Sequence, residues 1–207
     1  MSLAPADLPQ DEAKCIAPIA VPTHGPGGNF SVACSTTIAA KPLACMEKVL
    51  NLSDYENWNK FVTKASLAEP GQTDALADEL KTIASRPGHA APGAKVKFDA
   101  LMSPGSSPYK VDLEVTFLEA FEVNDGGSKR KGYRVAWKAT GMPHLLLHSE
   151  RVQEFVEIAG ADGTIGTRYS CWETFAGWLA YVLPRKQLED GFERWMNSLK
   201  KVAEESN

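Results

Sequence analysis

From residue 95 to residue 175 the chain alternates apolar and polar side chains in one segment after another, and a single amphipathic helix follows. Val96, Phe98 and Ala100 oppose Lys95, Lys97 and Asp99 over 95–101. Val111, Leu113, Val115 and Phe117 oppose Lys110, Asp112 and Glu114 over 110–117. Tyr133, Val135 and Trp137 oppose Arg134 and Lys138 over 133–139. Period-2 alternation puts one face of a strand in a core and the other in water, the habit of antiparallel sheets. Segments 145–158 and 165–175 add two more strands. Several of these runs reach about 10 to 13 residues, against a usual 5 or 6. Long antiparallel strands twist and curl, and a curled sheet with one apolar face needs a cover. Residues 185–204 supply it, with Leu188, Phe192, Trp195, Met196, Leu199 and Val202 on one stripe. A helix of that length spans ~30 Å, enough to cross the sheet.

The first half of the chain is read in the same way. Phe30, Val32, Cys34 and Ile38 alternate with Ser31, Ser35 and Thr37 in a strand over 30–38. Pro42 opens a helix at a position where its missing N–H does no harm, and Leu43, Met46, Val49 and Leu50 recur at helical spacing. Ser53 and Asp54 are N-cap types for a second short helix through Tyr55, Trp58 and Phe61. Residues 61–68 read as a strand. Residues 73–85 read as a helix capped by Thr73 or Asp74, with Leu76, Leu80 and Ile83 as its stripe. Loops or turns are expected at 86–93, 124–127 and 160–163. Residues 1–27 contain Pro5, Pro9, Pro18, Pro22 and Pro26 and show no periodicity. They are expected to form an extended, partly ordered arm ahead of a single domain over 28–205.

Composition removes several function classes. A net charge of −4 argues against a nucleic-acid surface, which needs clustered Lys and Arg. The basic run Lys129-Arg130-Lys131 reads as a solvated hairpin. No apolar run approaches the ~20 residues of a membrane span, so no stable membrane insertion is expected. The first residues show neither a basic nor an apolar signal region. Cys15, Cys34, Cys45 and Cys171 are scattered without metal-ligand spacing, which suggests a reducing, cytoplasmic setting and neither disulfides nor a bound metal. No phosphate loop and no HExxH motif is present. No cofactor is expected.

The order strand, two short helices, six strands and long helix is the helix-grip arrangement. Residues 52–61 (LSDYENWNKF), 151–155 (RVQEF) and 169–180 (YSCWETFAGWLA) strengthen the impression. Over roughly residues 29–204 the sequence resembles the START-like (SRPBCC) superfamily. That group includes pollen-allergen-type ligand carriers, lipid-transfer domains, aromatase/cyclase domains and coenzyme Q-binding proteins. The resemblance implies an α+β fold in which a seven-stranded curved antiparallel sheet wraps over the C-terminal helix and encloses an apolar cavity. Some members bind and transfer hydrophobic ligands, and others cyclise or dehydrate polyketides. The helix at 73–85 departs from the minimal pattern and reads as an insertion.

The candidate site residues are those that break the inward apolar pattern. On the last strand Ile165, Thr167, Tyr169, Cys171, Glu173 and Phe175 share a face, so Glu173 points inward. A buried carboxylate is costly unless paired or protonated. Glu173 is therefore a ligand anchor, an acid or base, or the structural partner of an arginine. The strand at 145–158 is polar on both faces. The register with Ser149, Arg151, Gln153 and Phe155 inward lets Arg151 meet Glu173; an exposed sheet end, wet on both faces, is the alternative. Glu119 shares parity with Phe117 and Phe121, so it is inward or marks a β-bulge.

The candidate ligand-binding set is Tyr133, Val135, Trp137, Arg151, Gln153, Phe155, Tyr169, Glu173, Phe192, Trp195 and Met196. Its aromatic members line a cavity or fill a core. Phe175, Trp178 and Tyr181 flank Gly177 as a rim or a helix-start packing group. His24, His89 and His144 adjoin Gly or Pro and are expected in loops, and His148 has no evident partner. Three functions remain open: binding or transport of a small hydrophobic molecule such as a lipid, polyketide or sterol-like compound; a cyclase or dehydratase using Glu173; and a partner-binding module with exposed aromatics.

Overall fold

Backbone hydrogen bonding turns each alternating segment into a strand, and the strands join edge to edge. The structure, a computed structural model, describes residues 1–125, 128–159 and 163–206. Gly126 and Gly127 of one predicted turn, and residues 160–162 of the other, lie outside them. In chain order the elements are β1 (Ala13–Ile16), β2 (Phe30–Ile38), α1 (Pro42–Leu50), a 3₁₀ turn (Leu52–Asp54) and α2 (Tyr55–Trp58). Then come β3 (Val62–Glu69), α3 (Asp78–Ala84), β4 (Lys95–Ala100), β5 (Tyr109–Asp125) and β6 (Ser128–Ala139). The chain closes with β7 (His148–Ala159), β8 (Ile165–Ala176), a second 3₁₀ turn (Trp178–Val182) and α4 (Arg185–Glu205). The sheet order is β1-β2-β8-β7-β6-β5-β4-β3, antiparallel at each pairing. This is the α+β helix-grip architecture, with α4 in the grip and the short helices α1 and α2 after β2.

The sheet has eight strands, not the seven expected. The eighth is β1, from the Pro-rich arm. Its four residues pair Ala13 to Ile16 with Cys34 to Ser31 of β2. So short a strand carries no periodicity of its own; it forms because β2 offers a free edge.

Four local expectations are corrected. Glu119 is not the site of the bulge. The register shift falls between Val115 and Phe117, after which Leu118 and Ala120 face the core and Phe117 is 40% exposed. The helix predicted over 73–85 is shorter: Thr73 and Leu76 close a turn, and α3 starts after Ala77 without a side-chain cap. Ser53 does not cap a helix either, because its hydroxyl donates to Asn51 Oδ1 at 2.8 Å. Phe61 lies beyond α2, since Asn59 Oδ1 accepts from the Phe61 and Val62 amides, both at 2.9 Å, and turns the chain into β3.

On the concave face Val115, Trp137, Phe155 and Tyr169 pack against Phe192, Trp195, Met196 and Leu199 of α4, each at most 2% exposed. Burying a side chain of this kind stabilises by about 1.5–3 kcal/mol. Gly191 permits the approach of α4, because a Cβ there would lie 2.5 Å from the Phe61 ring.

The convex face is also covered. Ala33, Ala136, Val152 and Trp172 are fully buried beneath Val21, Ala4, Leu8, Ile16 and Ile19 of residues 1–27. The arm is tied down by polar groups. Trp172 Nε1 donates to Ala20 O at 3.2 Å, and Thr174 Oγ1 to Ile19 O at 2.6 Å. The Leu3 amide donates to Glu154 Oε1 at 2.8 Å, and the Thr23 amide to Glu150 Oε2 at 2.7 Å. Glu154 is fully buried because Arg134, itself 4% exposed, pairs with it at 2.6 Å and also meets Glu119. Among the described residues no helix is long and apolar enough to cross a membrane.

Removing one partner of a buried pair costs about 3–5 kcal/mol, because the other charge stays behind. Arg134→Met is therefore expected to lower stability to urea by about that amount. Glu119→Gln, at the exposed end of the same row, should cost about 1 kcal/mol or less. Equal effects of the two substitutions would contradict the arrangement.

Candidate functional site

The concave core does not fill the whole space under the sheet. Toward the start of α4 a cavity of about 490 Å³ remains, bounded by β3, β4, β5, β6, β7 and β8 and by Leu183, Pro184 and Leu188. Its walls are mostly apolar: Phe61, Phe98, Val111, Leu113 and Phe175 contribute, with Met142 and Leu147 from the β6–β7 loop. Alternation explains the lining, since Val111 and Leu113 sit on the inward parity of β5 and Phe98 and Ala100 on that of β4.

Among the polar residues of the wall, which include Lys110, Asp112 and Thr140, one buried pair stands out. Arg151 of β7 and Glu173 of β8 are direct cross-strand partners. Arg151 Nε donates to Glu173 Oε2 at 3.0 Å, and Ser149 Oγ donates to Glu173 Oε1 at 2.7 Å. Both side chains are largely buried, at 11% and 14% exposure. The guanidinium also lies 4.0 Å from the Phe192 ring centroid and 5.2 Å from that of Trp195, an arrangement worth ~2 kcal/mol when desolvated. Burial opposes the Arg151 charge, but the facing Glu173, with Cys171 and Tyr169 behind it, holds its pKa above the ordinary value. The guanidinium has five N–H donors, and among the described residues its one side-chain hydrogen bond is Nε to Glu173. Trp137 also lines the cavity, and its indole N–H has no partner.

Close in sequence to the lining residues Leu147 and Leu183, the surface is apolar and exposed. Leu145, Trp178, Tyr181 and Val182 are each more than 70% exposed. Gly177, at φ 103°, allows the turn from β8 toward α4; a Cβ there would lie 2.6 Å from Leu146 O. The Trp178 and Leu179 amides then bond to the carbonyls of Leu145 and Leu146, joining the turn after β8 to the β6–β7 loop.

No family model and no curated protein matches the sequence. Solved structures do match it. A hypothetical protein from Helicobacter pylori superposes with a TM-score of 0.55 at 14% identity, over 83% of this chain and 86% of that one. The major latex-like protein 151 of Panax ginseng superposes at 0.50 with 11% identity, over 84% of this chain and 96% of its own. A di-domain ARO/CYC protein from the steffimycin biosynthetic pathway gives 0.50 at 11% identity, over 95% of this chain. The chain shares the helix-grip fold of these structures. The likeness is one of fold, and this chain spans 52% of the di-domain protein.

Within that helix-grip fold the candidate residues divide sharply. Trp137, Arg151 and Glu173 line the cavity. Tyr133, Val135, Gln153, Phe155, Tyr169, Phe192, Trp195 and Met196 do not. They are buried in solid core, and other residues account for the difference. Trp195 packs edge-on against Tyr55 and Trp58 of α2 at 5.5 and 5.7 Å, which closes the space along the middle of α4. Gln153 Oε1 accepts from Tyr169 Oη at 2.7 Å, behind Arg151. Tyr133 is 4% exposed beside Lys131. Residues overlooked as site members include Phe98, Val111, Leu113 and Ser149, at inward positions that the strand parity makes visible, and Phe61, which precedes β3 and has no such mark. Phe175 lines the cavity, whereas Trp178 and Tyr181 do not and stand in solvent.

The Arg151–Glu173 pair is expected to behave as a unit. Arg151→Met alone should destabilise the protein by about 3 kcal/mol, since Glu173 stays buried. The double substitution Arg151→Met/Glu173→Met should regain most of that loss in a urea double-mutant cycle. Additive losses would show the two groups to be uncoupled.

Proposed function

We propose that the chain binds a small hydrophobic molecule in the cavity between sheet and α4, with a polar end directed at Arg151 and Ser149. The observation that carries this reading is a largely apolar cavity of about 490 Å³ whose wall holds one buried, hydrogen-bonded charge pair. Small-molecule sites are concave, mostly apolar and about 300–1,000 Å³, with a few placed polar groups. Lipid, polyketide and sterol-like compounds fit this chemistry. The pair is neutral as a unit, which favours a carbonyl or hydroxyl over a free carboxylate. Glu173 serves here as a positioning group, not an acid or base, because both its oxygens are already engaged by Ser149 and Arg151. The partner-binding reading, which required a filled interior, has less support than the carrier reading.

Native mass spectrometry of the purified protein, followed by organic extraction, tests the proposal. One apolar compound per chain, or saturable uptake of a neutral apolar fluorescent probe, is the expected result. Ala100→Trp fills the lining from β4 and should weaken probe binding by about tenfold or more, equal to about 1.4 kcal/mol or more, without lowering the thermal midpoint. A protein that arrives empty and takes up no probe would sink the reading.

A further inference from the structure

Three of the four histidines in the chain meet at one point, from separate parts of the fold. His24 belongs to the Val21–Gly25 turn of the arm on the convex face, closed by the hydrogen bond from the Val21 amide to Gly25 O at 3.1 Å. His144 lies in the β6–β7 loop, and His148 is the first residue of β7. The His144 and His148 rings stack with centroids 3.5 Å apart, and His24 lies 4.6 Å from His148 and 5.3 Å from His144. One ring nitrogen from each lies within 4.8 Å of the others.

We propose that His24, His144 and His148 form a site for one divalent transition metal ion, of which Zn²⁺ is the best match to three imidazoles. Zinc accepts neutral imidazole nitrogens at ~2.0–2.1 Å, and three protein ligands leave a fourth, open position. A tetrahedral ion spaces its ligands about 3.4 Å apart, so the nitrogens, now within 4.8 Å of one another, must draw closer and the stacked His144 and His148 rings must tilt apart to aim their lone pairs at one ion.

Two further observations point to a ligand. His24 Nε2 is buried and has no hydrogen-bond partner among the described residues, although an orphan buried nitrogen is costly. His148 Nδ1 is 2.7 Å from His144 O. A ring N–H donated to a backbone carbonyl is the usual way of fixing a ligating histidine, and it frees Nε2 for the metal. The His24 turn is itself held in place. The Thr23 amide and hydroxyl both donate to Glu150, which also accepts from Thr116 Oγ1 at 2.6 Å. The ion would join the arm to the β6–β7 loop, whose Met142 and Leu147 line the cavity.

The test uses the full chain without an affinity tag, stripped with a chelator and titrated with ZnCl₂ against a chromophoric zinc indicator. One equivalent should bind. His24→Ala and His144→Ala should each weaken it by about tenfold or more; His144 is exposed, so its loss does not endanger folding. His89→Gln, which removes the remaining histidine, should leave binding unchanged. Zinc should raise the thermal midpoint of the parent chain but not of His24→Ala. Co²⁺ should give visible ligand-field bands that His24→Ala abolishes. No binding at micromolar zinc, or binding that His24→Ala leaves intact, would overturn the proposal.

Discussion

Strands β7 and β8 are buried on both faces, yet the one long helix lies against only one of them. A sheet covered on one side can place polar residues on the other and leave them in water. This one cannot, because Ala33, Ala136, Val152 and Trp172 make its outer centre apolar. The arm must therefore lie over that face. A proline-rich segment can do so only if the sheet supplies partners for its backbone. Glu150, Glu154, Thr174 and Ser31 are those partners. Carboxylates buried for this purpose need charge compensation, which Arg134 gives to Glu154. The outer layer, its buried acids and the eighth strand share one cause.

The inner face has the opposite problem, with too much space in place of too little cover. A helix of 21 residues presents a fixed stripe, and the sheet above it curves. Where α1 and α2 add bulk, the gap closes: Tyr55, Trp58, Phe98 and Trp195 lie within 5.2–6.5 Å of one another in their ring contacts. Toward the start of α4 no such bulk is added, and the cavity remains there. Arg151 marks the boundary. Its guanidinium stacks on Phe192 on the filled side and forms wall on the open side.

The strands and α4 were legible in the sequence because alternation and helical spacing are local patterns. The sheet register at Arg151 and Glu173 was legible for a related reason: two charges on apolar faces of neighbouring strands have few ways to be satisfied except by each other. What escaped depended on distant contacts. Ala13–Ile16 has no periodicity, and its pairing is set by β2. The burial of Glu150 and Glu154 has no local mark because the arm that covers them lies more than a hundred residues away. The parity of Phe117 and Glu119 was misread because a bulge after Val115 leaves no mark in composition. The cavity's extent was misplaced because Tyr55 and Trp58 decide which part of α4 is filled, and their distance from it in sequence conceals that.

The same alternation couples the two faces of β7. Ser149 and Arg151 point to the cavity, while Glu150 and Glu154 serve the arm. A strand is stiff across its width, since a one-residue slip would exchange the two sets entirely. Docking of the arm therefore fixes the register that brings Arg151 to Glu173. The pairing in turn resists any slip that would take Glu150 and Glu154 away from the arm. Neither layer is an accessory to the other: the position of the polar group in the cavity is set as much by what covers the outside of the sheet as by the helix inside it.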